Sequence, residues 1–215
     1  MTATETTPTD AALLDAVLHL ADLALRFGRI DRTAVHHPDG MPESDSDHTV
    51  MLGWLACALA AKWCPRLDLG LVAQFALVHD APEVYAGDTP TLRIDDAGLA
   101  TKFERERRAV GRLITEFAPE LPWFPSVIML YERQDLPEAR FVRALDKVVT
   151  RMVHLVDGGQ GLRAMGISRA EWDRLSTQTL KRMWPYAQEF TELLALRAEL
   201  GDRITDTPGL LATEG

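Results

Sequence analysis

Apolar residues in this chain return every three to four positions, segment after segment, and nowhere alternate by two over the length of a strand. That period constrains the fold class, because side chains three and four apart share a helix face, whereas a half-buried strand needs strict alternation. Leu13, Leu14, Val17, Leu18, Ala21 and Leu25 form the first stripe, over 11–27, ended by Gly28. Helices are predicted next over 47–63, capped from the Ser/Asp cluster at 44–47, and over 69–80, capped by Asp68. Pro82 disfavours the helical state at Ala81, so the second of these ends or bends at His79-Asp80. Further stripes cover 97–118, 123–133, 138–156 and 168–199, the last bent at Pro185. Residues 28–47 read as a loop, with His-Pro-Asp-Gly at 37–40 as turn punctuation. The expectation is a single all-α domain of six or seven helices over 11–200, flanked by flexible tails at 1–10 and 203–215.

Charge and hydropathy remove several function classes. Lys and Arg number 23 against 32 Asp and Glu, a net charge of −9. Counterion-release binding needs clustered cations, so no nucleic-acid polymer and no anionic membrane surface is expected as partner. The longest strongly apolar stretch without charge, Thr49 to Ala61, falls short of the roughly 20 residues that span a bilayer. The first basic residue is Arg26, so no basic segment precedes an apolar one as a secretory leader requires. If Cys57 and Cys64 share a helix, seven steps separate their Cα atoms by roughly 10 Å, too far for a disulfide. Reduced thiols and a cytoplasmic setting are expected.

Against this helical background a few polar residues stand out. Asp146 lies four after Val142 and three before Val149, on the stripe that also carries Leu145, Met152 and Val153. A carboxylate on a buried face has to be ion-paired, hydrogen-bonded or bound to a metal; by itself Asp146 fits a salt bridge to an arginine equally well. His48 precedes Met51, Leu52 and Leu55 by three, four and seven positions, and so faces inward in its helix's first turn. His79-Asp80 falls where an apolar helix meets a proline break, a place from which adjacent side chains reach one ion beyond the helix end. Two imidazoles and two carboxylates on separate helices make a set that a bundle interior can close around a metal. Glu83 and Asp88 follow on the loop, with Gly87 allowing a sharp turn. His19 and His154 carry no partner pattern, His36 and His37 read as surface loop residues, and Glu132 reads as peripheral. Arg105, Arg107, Arg108 and Arg112, interleaved with Glu104 and Glu106, read as a solvated face.

The order His48, His79-Asp80, Asp146 resembles the metal signature of the HD-domain phosphohydrolase superfamily. The run from His79 to Pro90 is similar to the branch containing bacterial 5′-deoxynucleotidases. Pro42 to His48 matches that branch's Glu-Ser-x-x-Glu-His segment, with Asp47 for the usual Glu, and Ala144-Leu145-Asp146-Lys147 matches its last-ligand segment. The resemblance covers about 13–157 and implies an HD-domain helical bundle. It implies His48, His79, Asp80 and Asp146 as ligands of one divalent ion, with Glu83 and Asp88 as the acids that act on water and leaving oxygen. Arg32 is the best match to a family arginine that contacts phosphate, with Lys147 beside the last ligand. Where the branch continues Arg-Trp, with Trp at the sugar, this chain has Arg32-Thr33. A homodimer is also implied.

Two nitrogen and two oxygen ligands suit Mn, Co, Fe or Zn better than Mg. Such an ion neutralises a phosphoryl oxygen and lowers the pKa of water; Glu83 then orients or deprotonates the water and Asp88 protonates the leaving oxygen, or the two exchange roles. The expected substrate is a nucleoside 5′-monophosphate. A nucleotide triphospho- or pyrophosphohydrolase is the alternative and calls on further cations, for which Arg29, Arg32, Arg93 and Lys147 are available. A non-catalytic metal-holding regulatory module is the third reading, and intact Glu83 and Asp88 argue against it.

Overall fold

A computed structural model describes residues 10–213, without the side chains of residues 33–36. Its helices are α1 (Ala11–Phe27), α2 (Asp45–Trp63), α3 (Leu69–Val78), α4 (Glu83–Ala86), α5 (Asp96–Phe117), α6 (Trp123–Arg133), α7 (Pro137–Val156), α8 (Gln160–Ala164), α9 (Arg169–Ala187) and α10 (Thr191–Asp206). The all-α class holds, with ten helical segments among the described residues in place of six or seven. Two of the additional ones, α4 and α8, are four and five residues long, too short to show a period. None of the helices is long and apolar enough to cross a membrane.

α7 is the axis of the bundle. Pro137 starts it, where the missing N–H costs nothing. Phe141, Val142, Leu145, Val148 and Val149 are all fully buried along it, and α2, α3, α6, α9 and α10 pack around it. α2 opens on a capping box: the Ser44 side chain accepts from the Asp47 N–H, while the Asp47 carboxylate accepts from the Ser44 N–H. α3 opens on Asp68, whose carboxylate accepts from the Gly70 and Leu71 N–H groups. These caps fix where the first turns of α2 and α3 begin, and hence which way His48 points.

Three expectations require correction. Residues 28–47 are not all loop: β1 (Asp31–His36) and β2 (Pro42–Ser44) form an antiparallel pair, with Asp31 opposite Ser44, Arg32 opposite Glu43 and His36 opposite Pro42. The second strand is three residues long and starts with proline, so it offers no alternation to read. The predicted 168–199 helix is two helices. Pro185 cannot donate to the carbonyl four residues back, α9 ends at Ala187, and Phe190 turns inward to meet Phe141 edge-on at 5.1 Å. The segment from 203 onward is not a loose tail as far as residue 213. Ile204 and Leu210 are buried with Leu162, Ile167, Trp172 and Leu175 in a second, smaller core. The Ala212 N–H donates to the Ile167 carbonyl at 2.9 Å. Leu210 passes so close to Gly159 that a Cβ there would strike its backbone, and Gly159 has φ +77°. Residues 1–9 and 214–215, also expected to be tails, lie outside the described residues.

Candidate metal centre

Four elements converge beside the N-terminal end of α2. The first turn of α2 supplies Asp45 and His48, three apart and both buried. The end of α3 supplies His79 as C-cap, followed by Asp80 in the turn before Pro82. α4 begins with Glu83, and the middle of α7 supplies Asp146, 6% exposed inside its apolar stripe. Donor atoms of His48, His79 and Asp146 all lie within 4.8 Å of one another; so do those of Asp45, Asp80 and Glu83. Asp80 joins the two groups, because its Oδ2 is 2.9 Å from His79 Nε2. Asp88 lies on the loop after α4 and lines the same cleft.

The hydrogen bonds decide which ring nitrogens face inward. His79 Nδ1 donates to the Ala76 carbonyl at 2.8 Å, which leaves Nε2 to carry a proton or face a metal ion. That Nε2 is buried, makes no hydrogen bond, and sits beside the Asp80 carboxylate. Nε2 facing a carboxylate needs a proton or a metal ion between them, and the pair is arranged to take either. His48 lies between two carboxylates, with Nδ1 3.1 Å from Glu43 Oε1 and Nε2 2.9 Å from Asp146 Oδ1. With a cation on the Asp146 side, Nδ1–H donates to Glu43, the carboxylate–histidine–metal arrangement that orients a ligand ring and strengthens it as a donor. His48, His79 and Asp146 therefore offer two nitrogens and a carboxylate that could hold one ion, with Asp80 adjoining through His79.

The electrostatics point the same way. Although burial opposes it, the hydrogen bonds to Asp146 and Glu43 push the His48 imidazole up to about 9. Burial also works against ionised Asp146 and Asp80, yet both are held below the usual carboxylate range, Asp146 chiefly by Lys147 and His48, Asp80 chiefly by His79. Burial pushes Asp45 up to about 7 and Glu83 up to about 9, with Asp80 adding to both. A cluster this rich in acid is short of positive charge, which a divalent cation supplies.

Cations surround the cluster. Arg32 Nη1 donates to Asp80 Oδ2 at 3.0 Å and lies 3.5 Å from Asp45 Oδ1, while its Nε is buried without a partner. Lys147 Nζ is 2.7 Å from Asp146 Oδ2. Lys102 from α5 donates to Glu83 Oε1 at 2.9 Å and pairs with Glu106 at 2.6 Å. A cleft of about 440 Å³ opens beside the cluster, and Arg32, Lys147, Glu83 and Asp88 all line it. Two of the cations considered for a polyphosphate do not reach it: Arg93 is held in a bidentate pair with Glu171, and Arg29 is not among the lining residues. The Thr33 side chain lies outside the described residues.

Several site groups escaped the sequence reading. Asp45 was open to detection, because it precedes His48 by three and so shares its inward face. Glu43 was open to detection as the first acid of the matched Glu-Ser-x-x-Glu-His segment, whereas Lys102 and the Tyr131–Arg143 stack that lines the cleft carry no such signal. Glu132, expected to be peripheral, lines the cleft in a pair with Arg143. His154 also lines it, edge-on to Trp172.

Comparison with known proteins gives this geometry a setting. The HD domain family profile matches residues 26–188. The chain is 30% identical over 83 residues to a 5′-deoxynucleotidase of Pectobacterium atrosepticum, a match spanning 36% of this chain and 42% of that relative's length. Among solved structures, a predicted metal-dependent phosphohydrolase of Magnetospirillum magnetotacticum superposes with a TM-score of 0.68 at 27% identity, covering 97% of this chain and 100% of that one. A conserved hypothetical protein of Pyrococcus furiosus shares the fold at 20% identity and a TM-score of 0.54, over 86% of this chain and 99% of that one.

Proposed function

The chain belongs to the HD domain family, and from that membership we propose that it is a metal-dependent phosphohydrolase removing the 5′-phosphate of (deoxy)nucleoside monophosphates. The observation that carries this reading is the convergence of His48, His79 and Asp146 donor atoms, with Asp80 alongside, at one end of a cleft lined by Arg32 and Lys147. Resemblance to a 5′-deoxynucleotidase over part of that relative's length supports the choice of nucleotide.

In this reading His48, His79, Asp80 and Asp146 hold one divalent ion, Mn, Co, Fe or Zn in preference to Mg because two donors are imidazoles. When bound, the ion supplies Lewis acidity, neutralising phosphoryl charge and making water a stronger acid. Arg32 binds a phosphate oxygen through its unpartnered Nε, fixed in place by its bonds to Asp80 and Asp45. Lys147 adds a second positive charge next to Asp146. Glu83, tethered by Lys102, accepts a hydrogen bond from the attacking water and takes its proton, a role that requires the charge of a bound ion to offset Asp80 and bring the carboxyl back down from about 9. Asp88, on the loop facing the cleft, gives a proton to the departing 5′-oxygen.

A substrate panel tests the reading: deoxy- and ribonucleoside mono- and triphosphates, with Mn²⁺, Co²⁺ and Mg²⁺ supplied separately. Phosphate release from 5′-monophosphates is expected, and exclusive release of triphosphate would displace the proposal. Thr33 in place of Trp implies weak discrimination against the 2′-hydroxyl, since shape alone rejects a hydroxyl by about a hundredfold at best. A ribo/deoxy ratio of kcat/KM near one, falling in Thr33→Trp, is the expected result. The proposal also includes a cytoplasmic homodimer. Exposed Leu14, Val17, Leu18 and Leu25 on α1 and Trp54 on α2 supply apolar surface for pairing; light scattering that gives one chain's mass overturns it.

A further inference from the structure

The cleft does not end at the metal cluster. It continues down α7 past Thr150 and Arg151 to Ser176 on α9. Arg143, Lys147 and Arg151 recur at four-residue spacing and so lie along one side of α7. The first two have acids: Arg143 faces Glu132 and Lys147 faces Asp146. Arg151 has none. It is 5% exposed, stacks on Trp172 with the guanidinium 4.8 Å from the ring centroid, and donates from Nη2 to Ser176 Oγ at 2.7 Å.

A second buried arginine stands behind it. Arg197 of α10 is 6% exposed and donates to the Ser176 carbonyl at 2.6 Å. Its Nε is buried without a partner, and among the described residues no carboxylate pairs with either arginine. Burial and the Arg197 charge pull Arg151 down to about 9. Two like charges placed together out of water, with no acid between them, are costly unless an anion completes the set. Structural arginines of this kind are ordinarily matched with a carboxylate, as Arg140 is with Glu189.

We propose that the far end of the cleft, built on Arg151 and Ser176, binds a second phosphate group of the substrate, separate from the one cleaved at the metal cluster. The proposal rests on the phosphohydrolase chemistry of that reading and replaces its simple nucleoside monophosphate with a substrate that carries a further phosphate. From Asp146 to Arg151 the helix advances five residues, about 7–8 Å along its axis. The hydroxyl of Ser176 already accepts from Arg151, which leaves its own hydrogen free to donate to a phosphate oxygen. Among the described residues Arg151 donates only from Nη2, to Ser176, and its Nη1 packs against Gly201 of α10, so Nη2 and Nε are the groups left to turn toward an anion in the cleft. Two substrate types present this chemistry: a nucleoside phosphorylated at both ends, and a nucleotide whose polyphosphate extends along α7.

The test is calorimetric titration of the metal-loaded protein with analogues in which CH₂ replaces the scissile ester oxygen, so that binding is read without turnover. Three probes are compared: the 5′-phosphonate of deoxyadenosine, the same compound with a 3′-phosphate, and the corresponding 5′-triphosphate analogue. At least one multiply phosphorylated probe is expected to bind ten or more times tighter than the monophosphonate, and which one does identifies the substrate type. In Arg151→Gln that advantage falls to within twofold, while monophosphonate affinity is unchanged. Equal affinity of all three probes for the unaltered protein overturns the proposal without recourse to any variant. So does an advantage that survives in folded Arg151→Gln and in Ser176→Ala. Failure of the phosphohydrolase reading looks different: no nucleotide in the activity panel yields phosphate, whatever the binding order.

Discussion

Replacing Glu43 by Gln removes the negative charge behind His48 and keeps an oxygen that accepts from Nδ1–H. The imidazole is raised from 6.5 to about 9 by its hydrogen bonds to Asp146 and Glu43, which outweigh the opposing effect of burial. At about 1.4 kcal/mol per pKa unit, the protonated ring is favoured by about 3 kcal/mol in the metal-free site. Glu43 is one of two carboxylates responsible, so losing its charge lowers the imidazole by one unit or more. A metal ligand has to be neutral, so protons and metal compete for His48, and affinity climbs with pH until the ring is deprotonated. Zinc affinity of the unaltered protein, measured by competition with a chromophoric chelator, is therefore expected to rise up to pH about 9. In Glu43→Gln it levels off at least one pH unit earlier. Above that point proton competition is gone and the lost donor strength shows directly: roughly tenfold weaker binding in Glu43→Gln and nearer a hundredfold in Glu43→Leu, which also frees the ring to turn. If both variants bind within twofold of the unaltered protein above pH 9, with the levelling-off unmoved, Glu43 does not support the ligand and the reasoning fails.

The remaining expectations are briefer. Metal-free protein loses stability as pH rises from 6.5 through 9, because groups whose folded pKa is raised (His48 and Glu83, both to about 9) contribute most when protonated; thermal melts without metal at pH 6.5 and 9 check the sign. Asp146→Asn loses metal and turnover together, whereas Asp88→Asn keeps its metal by elemental analysis and loses most turnover. Lys102→Met takes the cation from Glu83 and moves the carboxyl further up, so the acid limb of the kcat–pH profile shifts to higher pH; Lys102→Arg restores much of it. Phe141→Ala empties a fully buried site packed on Phe190 and costs about 3–5 kcal/mol in denaturant melts.

The long helices were legible because each presents three or more turns of stripe, and a period needs that length to be read. α7 shows why the same pattern also exposes site candidates: Asp146 interrupts a run of Val and Leu, and a polar residue on an apolar face is conspicuous. Arg151 lies on the same helix and is just as buried, yet it escaped notice, because arginine is ordinarily a solvent residue and sequence carries no sign that its neighbours exclude water. The 203–213 segment was misread for a related reason. Ile204 and Leu210 have no stripe of their own, and what buries them is a second core made by Leu162, Ile167 and Trp172 from earlier in the chain.

The hairpin poses the sharpest case, since it lies between the first two helices and contributes Glu43, one of the two carboxylates bonded to His48. Residues directly opposite in an antiparallel pair project to the same face. Arg32 and Glu43 are such a pair, and from that face one reaches Asp80 and the other reaches His48. The adjacent pairing sets Asp31 against Ser44, which is also the N-cap of α2, and the Asp45 N–H donates to the Ile30 carbonyl at 3.0 Å. Strand register and helix start are therefore one constraint: a slip by one residue turns Arg32 and Glu43 away from the cluster and shifts the turn that carries Asp45 and His48. Beyond these pairs the register breaks between Arg32 and His36, and the chain reverses at 37–41 through Gly40 with φ +87°. Any extra residue in this region is absorbed there, past the pairs that hold the site, so the hairpin tip can vary in length while the arginine beside Asp80 and the carboxylate behind His48 stay where they are.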